Sequence, residues 1–224
     1  MFQFKQFAVA DELCAMKVGT DGVLLGAWAD VEGDSRILDI GTGSGLIALM
    51  LAQRNAKAEI VALDIDEDAT IQAQHNFSLS PWNSRLSVVH SNITDYMSDR
   101  KFTHIVSNPP YFVDSLHSPN AARTAARHTS SLPFVDIVAA AERLLEPEGR
   151  LSVILPTDDA SMFRREAFER LWLTRQLDIV TKAGEPPRRT MMEFCLTQKP
   201  QMPRCGEMLM GSEECRELTK DFYL

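Results

Sequence analysis

No apolar run in this 224-residue chain approaches the ~20 residues needed to cross a bilayer, so no membrane-spanning segment is expected. Cysteine is scarce. Cys14, Cys195, Cys205 and Cys215 form no Cys-x-x-Cys pair and have no histidine at zinc-ligand spacing, which argues against a metal site and for reduced thiols. Positive charge is in deficit, with 23 Lys and Arg against 31 Asp and Glu and a formal net charge of -8. That balance excludes holding nucleic acid by bulk electrostatics and leaves room only for a local basic patch. Met1-Phe2-Gln3-Phe4-Lys5 lacks the basic-then-apolar layout of a signal peptide, and a cytoplasmic monomer is expected. Internal repeats and low-complexity tracts are also missing, so residues 1–224 are read as one domain. The 45% of residues that are hydrophobic are enough for a single sizeable core.

What is present is an alternation of short apolar runs and amphipathic stretches. Phe2, Phe4 and Val9 have the period-two pattern of an N-terminal strand or hairpin. Thr20 or Asp21 is placed to cap a short helix over Val23-Leu24-Leu25-Gly26-Ala27-Trp28, and residues 1–30 are expected to cover the domain. Strands are expected at Arg36 to Ile40, Glu59 to Leu63, Arg85 to His90, the run ending at Asn108, Leu151 to Leu155, Leu173 to Thr181 and Met191 to Thr197. Between them lie helices from Leu46 to Gln53, Glu67 (capped by Asp66) to Phe77, Leu132 to Leu145, and Ala160 to Leu171. The last of these is read with Met162, Phe163, Ala167, Phe168 and Leu171 on one side, and the one before it is terminated by Pro147-Glu148-Gly149. Alternation of this kind implies a Rossmann-like α/β fold: a mostly parallel seven-stranded sheet, one antiparallel strand, and helices on both faces. The tail over residues 200–224 is expected to dock on that domain as a short helix.

Two strand ends carry the chemistry. Arg36-Ile37-Leu38-Asp39-Ile40 runs into Gly41-Thr42-Gly43-Ser44-Gly45, a turn in which missing Cβ atoms let a ligand lie against bare backbone. Leu46 stands where a dinucleotide fingerprint has its third small residue, which argues against a nicotinamide cofactor. Asp39 at the strand end can accept from a ligand ammonium group, and Asp64, about twenty residues beyond Gly43, can accept from ribose hydroxyls. A sulfonium nucleoside with an amino-acid tail meets those demands. The second strand end is Asn108-Pro109-Pro110-Tyr111. Its consecutive prolines remove two donors and fix the backbone, leaving the Asn108 side-chain oxygen and the Pro109 carbonyl to accept from one exocyclic amine, with Tyr111 offering a ring for stacking. This arrangement fits methyl transfer onto a planar nitrogen.

Asp39 to Gly45, Asp64 and Asn108 to Tyr111 resemble the class I S-adenosylmethionine-dependent methyltransferases that modify amino groups. More narrowly, Phe2-x-Phe4-Lys5-x-Phe7, Met16 to Gly26, Ala126-Arg127-His128, Pro187-Arg188-Arg189 and Phe222-Tyr223-Leu224 resemble the bacterial tRNA1(Val) adenine-37 N6-methyltransferases. The resemblance implies S-adenosylmethionine as cofactor and tRNA as partner, with a cofactor pocket lined by Lys17, Thr20, Asp21, Asp39, Gly41, Gly43, Gly45, Asp64, Asn92 and Asn108. Asn92 departs from an aspartate common in the class, which implies a weaker contact with the cofactor adenine. Arg123, Arg127 and His128 after the acceptor motif, and Lys182, Arg188 and Arg189 in a late loop, form an RNA-binding patch if the fold brings them to one edge. Residue types alone leave the acceptor open between an adenine amine, a guanine amine and a protein glutamine amide, and also leave open a binding module without catalysis.

Overall fold

The computed structural model describes residues 1–110 and 132–223. Phe2–Gln3 (β1) and Ala8–Val9 (β2) pair as a small antiparallel hairpin, the second of the two alternatives the N-terminal pattern allowed. It is followed by Thr20–Trp28 (α1), Arg36–Ile40 (β3), Leu46–Arg54 (α2), Glu59–Asp64 (β4), Glu67–Ser78 (α3), Leu86–His90 (β5) and Phe102–Ser107 (β6). Beyond residue 131 come Phe134–Leu144 (α4), Leu145–Pro156 (β7), Thr157–Glu166 (α5), Trp172–Val180 (β8), Arg189–Cys195 (β9), Arg204–Leu209 (β10) and Glu213–Thr219 (α6).

Successive residues of a pleated strand point to opposite faces, and here both faces are buried. Ile37, Ile60, Val106 and Ile154 enter one apolar cluster, while their neighbours Leu38, Val61, Ile105 and Val153 enter the other. The helices divide accordingly, with α1, α2, α3 and α6 packed on the first cluster and α4 and α5 on the second. At Gly26 an added Cβ would lie 2.7 Å from Met50 Sδ, so α1 approaches α2 as closely as a bare backbone allows.

The main sheet runs β10-β8-β9-β7-β6-β3-β4-β5, and β9 is the one strand antiparallel to both of its neighbours. The Rossmann-like α/β expectation therefore holds, with eight strands instead of seven. The extra strand, β10, pairs in parallel with β8 at the sheet edge. Only Met208 of its six residues is buried, so it lacks the apolar alternation that would mark it. The tail is thus a strand followed by the short helix α6. Pro147-Glu148-Gly149 does not end a helix, because α4 stops at Leu144 and these residues form a bulge between the Leu145 and Arg150 pairings of β7. The next helix stops at Glu166, and Glu169 then adopts φ 62; at about 100° per residue Phe168 falls on the side of Ser161 and Arg164, so Phe163, Ala167 and Leu171 are buried, but Met162 and Phe168 are exposed. Gly19, not Thr20 or Asp21, occupies the N-cap of α1, and no side chain caps that helix. Asp66 caps α3, accepting from Asp68 N at 3.0 Å.

A buried polar chain ties the start of β3 to β6 and β7. His104 Nδ1 lies 2.9 Å from Asp34 Oδ2, and its Nε2 lies 2.9 Å from Ser152 Oγ. Arg150 donates to the other Asp34 oxygen at 2.9 Å. Although Asp, His and Ser stand in the order of a hydrolase triad, His104 and Ser152 are fully buried, so the chain holds strands together and does not meet substrate. Burial pushes the Asp34 carboxyl up, but the His104 hydrogen bond and the Arg150 charge outweigh it and hold the group below its ordinary 3.8. A carboxyl depressed in the folded state contributes stability above its unfolded pKa and loses it as pH falls through the folded value. Asp34→Asn is therefore expected to flatten the acid limb of a denaturant-stability profile below about pH 4, whereas an unchanged acid limb would contradict the assignment.

Candidate active site

The parallel pairing of β3 with β4 and β6 brings three strand ends to one edge. Ile40 pairs with Ser107, and Ser107 Oγ donates to Ile40 O at 2.8 Å, so Gly41 and Asn108 emerge side by side. On the other flank the Leu63 carbonyl accepts from both Gly41 N (2.8 Å) and Thr42 N (3.0 Å), which folds the chain over the end of β4. Asp64 completes the turn from below. One carboxylate oxygen accepts from Gly43 N at 2.8 Å and the other from Asp66 N at 3.0 Å. Gly43 has φ 54, and a Cβ there would meet nothing within 4 Å among the described residues. Gly45 is required for a different reason, since at φ 80 a Cβ would lie 2.5 Å from the Phe77 ring.

Burial raises the pKa of Asp64, against which the backbone donors pull it down. Asp39 is sealed beneath the turn, fully buried, and accepts from Thr42 Oγ1 at 2.7 Å through one oxygen. Its other oxygen is buried without a hydrogen-bond partner. Burial pushes this carboxyl up to about 7. Asp39 thus lies directly beneath the glycine turn and is tied to it through the Thr42 hydroxyl.

The N-terminal segment wraps over α3 beside this turn. Buried Asn76 accepts from Ala10 N at 3.0 Å and donates to Ala10 O and Ser44 O, both at 2.8 Å, joining the covering segment to the glycine turn through one amide. Gln72 Oε1, one helical turn earlier, accepts from Leu13 N at 3.2 Å. Lys17 is spent inside the cover: its ammonium donates to the carbonyls of Asp11, Glu12 and Cys14 at 2.7, 3.3 and 3.0 Å. Thr20 is the first residue of α1, and Asp21 accepts from Arg189 Nε at 2.7 Å, so a residue expected at the cofactor meets one expected at RNA. Asn92 follows β5, where its side-chain oxygen accepts from Thr94 N at 3.1 Å. Lys182 and Arg188 are exposed in the β8–β9 loop, 3.8 and 4.0 Å from Glu185. Pro109 is buried and Pro110 half-buried next to Asn108, while Tyr111, Arg123, Arg127 and His128 lie outside the described residues. Among the described residues, no three His, Cys, Asp or Glu side chains come together to hold a metal, and no helix is long and apolar enough to cross a membrane.

Residues 19–169 match the family model described as "Methyltransferase small domain". A tRNA1(Val) (adenine(37)-N6)-methyltransferase of Bacteroides thetaiotaomicron is 49% identical over all of this chain and 97% of that protein. A protein of the same name from Trichodesmium erythraeum is 42% identical at the same coverage. The chain belongs to the tRNA1(Val) (adenine(37)-N6)-methyltransferase family. Among solved structures, a predicted O-methyltransferase of Agrobacterium tumefaciens superposes with a TM-score of 0.68 at 20% identity, covering 90% of this chain and 96% of that one. TrmN from Thermus thermophilus gives 0.54 at 22% identity over 73% of this chain and 44% of that one; both likenesses are of fold.

Class I members of this family imply S-adenosylmethionine as cofactor, and the residues fit it. Asp39 holds beneath the turn a buried carboxyl, raised to about 7 by burial against the pull of the Thr42 hydroxyl and the Ala48 amide, that a cationic ligand would draw into its ionised form; Gly43 leaves the turn bare, and Asp64 stands at its rim. Sequence reading missed Asn76, whose one signal is a poor helix former placed on the buried side of α3. Asn76→Ala would strand a buried donor and two buried acceptors, and is expected to cost about 2–4 kcal/mol in denaturant unfolding while weakening S-adenosylmethionine binding measured by calorimetry. Parent-like values for both would remove the clamp from the site.

Proposed function

We propose that this member of the family transfers a methyl group from S-adenosylmethionine to the exocyclic N6 amine of adenine 37 in tRNA1(Val), with Asn108, Pro109 and Pro110 as the acceptor site. The observation that carries the reading is the placement of Asn108 beside Gly41, locked by the Ser107–Ile40 pairing. The amine-binding strand end and the bare-backbone turn are thereby held on one rigid sheet edge. S-adenosylmethionine supplies an electrophilic methyl group on a sulfonium.

Every other contribution comes from the chain. Asn108 Oδ1 and the Pro109 carbonyl would accept hydrogen bonds from the two amine N–H groups, turning the nitrogen lone pair toward the methyl donor; the new N–C bond would form as the methyl–sulfur bond breaks, with the thioether leaving and one amine proton passing to solvent. Pro109 and Pro110 keep those acceptors rigid by fixing φ and supplying no competing N–H. Tyr111 stacks on the base, and Asp64 receives the ribose hydroxyls. An anticodon-loop base is unpaired before binding, so turning it into the site costs less than extraction from a duplex. RNA phosphates meet Lys182 and Arg188, together with Arg123, Arg127 and His128, while Arg189 acts by holding Asp21. A cytoplasmic monomer fits this role.

Two measurements test this reading. With unmodified tRNA and labelled cofactor, nucleoside mass spectrometry is expected to find N6-methyladenosine; Asn108→Ala should lower turnover by about two to three orders of magnitude, the scale of losing a preorganised transition-state contact, with little change in cofactor affinity. Label confined to protein, or undiminished turnover in the variant, would overturn the assignment. Because Asp39 is raised to about 7, binding a cationic ligand should favour its ionised form and release a proton. Cofactor affinity should accordingly strengthen as pH rises through 7, and calorimetry near neutrality should give a binding enthalpy that changes with buffer ionisation enthalpy. A buffer-independent enthalpy would show that Asp39 does not titrate.

A further inference from the structure

Most arginines among the described residues are committed. Arg36, Arg54, Arg85, Arg143 and Arg216 donate to backbone carbonyls, and Arg100, Arg150, Arg170, Arg175, Arg188 and Arg189 face carboxylates. Among the described residues Arg164 and Arg165, both exposed on α5, have neither a carboxylate nor a carbonyl partner, a condition shared only with Arg204 on the edge strand. Glu166 beside them is engaged by Arg170 at 3.3 Å, and Arg170 also holds Glu142. Glu169, exposed on the turn that follows, forms no ion pair with either arginine, so both guanidinium groups are unpaired with one carboxylate nearby.

The two arginines also share a concave surface with an aromatic ring. Ser161, Arg164, Arg165 and Phe168 recur at intervals of three and four residues along the helix and the turn that ends it, and they line a hollow of about 440 Å³. Phe168 is 71% exposed, an unusual state for a phenylalanine. Arg164, Phe168 and Glu169 also border a second hollow of about 310 Å³, lined further by Leu171, Trp172, Leu173 and Phe194. Unpaired guanidinium groups flanking an open aromatic face match the chemistry that binds nucleic acid, in which cations take phosphates and a ring takes an unstacked base or a sugar face.

Position supports the same partner. α5 leaves the end of β7, the strand paired with β6 behind Asn108, and Thr157 Oγ1 donates to Pro187 O at 3.1 Å beside exposed Arg188. At about 1.5 Å per helical residue, Arg164 to Phe168 lie roughly 10–16 Å down the side of the domain from that edge. At the ~3.4 Å per phosphate of one strand of a stacked duplex, roughly three to five nucleotides cover that distance, and fewer where the strand is extended. We propose that the outer face of α5, with Arg164, Arg165 and Phe168, is a second tRNA contact that holds RNA beyond the base presented to Asn108. This inference rests on the RNA-methylation reading above.

The test is binding of unmodified tRNA transcript across a potassium chloride series, with methylation kinetics alongside. Removing two phosphate contacts in Arg164→Gln/Arg165→Gln should shallow the slope of log affinity against log salt by about 1.4–1.8. Phe168→Ala should weaken binding roughly fivefold or more, the loss of one stacked base. Both variants should raise KM for tRNA at unchanged saturating rate, unchanged S-adenosylmethionine affinity and unchanged melting temperature. Parent-like RNA affinity and salt slope in both would overturn the proposal. So would parent-like RNA binding joined to a shift in sedimentation of Phe168→Ala, which would assign the face to protein association. If the unsubstituted protein neither binds nor methylates tRNA, the function reading falls along with this one; normal methylation by the unsubstituted protein with inert variants removes the α5 contact alone.

Discussion

One carbonyl and one carboxylate hold the active edge together. Leu63 O and the Asp64 side chain, adjacent on β4, between them accept from Gly41, Thr42 and Gly43. The glycine turn is therefore built on the neighbouring strand as much as on its own. That places a strict demand on register: moving β4 by one residue against β3 would present a side chain on the wrong face and no carboxylate under Gly43. The demand is met because every residue from Ile60 to Leu63 is buried, with apolar partners on alternate faces. Core packing thus sets the position of the ligand-facing backbone, and Ser107 transmits the same register to Asn108.

The sequence made legible those parts whose signal is local. Arg36 to Ile40 and the run before Asn108 read as strands because each is short, apolar and ended by residues that cannot continue it. The glycine turn, Asp64 and the paired prolines sit at those ends, where the chain must change direction in any case. Features that depend on distant partners were not legible. Asn76 shows its role only when Ala10 and Ser44 are beside it, and Arg189 shows its pairing only when β9 delivers it to Asp21. β10 is an edge strand with one buried residue, and the bulge at Pro147 to Gly149 looks like a helix stop because proline and glycine punctuate both. Phe168 was read on one side with Phe163 and Ala167, but at about 3.6 residues per turn it lies above Arg164 on the outer face.

Charge is organised by the same economy of partners. A formal net charge of -8 looks unfavourable for an RNA enzyme. Yet many arginines serve as internal struts, such as Arg54 under α1 and Arg143 across to Ile93 and Tyr96, where they offer little to an external anion. Electrostatic recognition then depends on the few cations left over, and on where the fold exposes them.

The covering segment near the glycine turn is anchored by residues from the opposite end of the polypeptide. Lys5 N donates to Phe222 O at 2.9 Å, Phe222 shares an apolar cluster with Phe4 and Phe7, and the Phe4 and Tyr223 rings stack 6.1 Å apart. During synthesis on a ribosome, the central strands can pair, and Asn76 can clamp the cover to α3, long before Phe222 has emerged, but the aromatic seam with Phe4 and Tyr223 has still to close. Closure of the cover is therefore a two-part event, an early amide clamp beside the glycine turn and a later aromatic seam that depends on a distant stretch of chain.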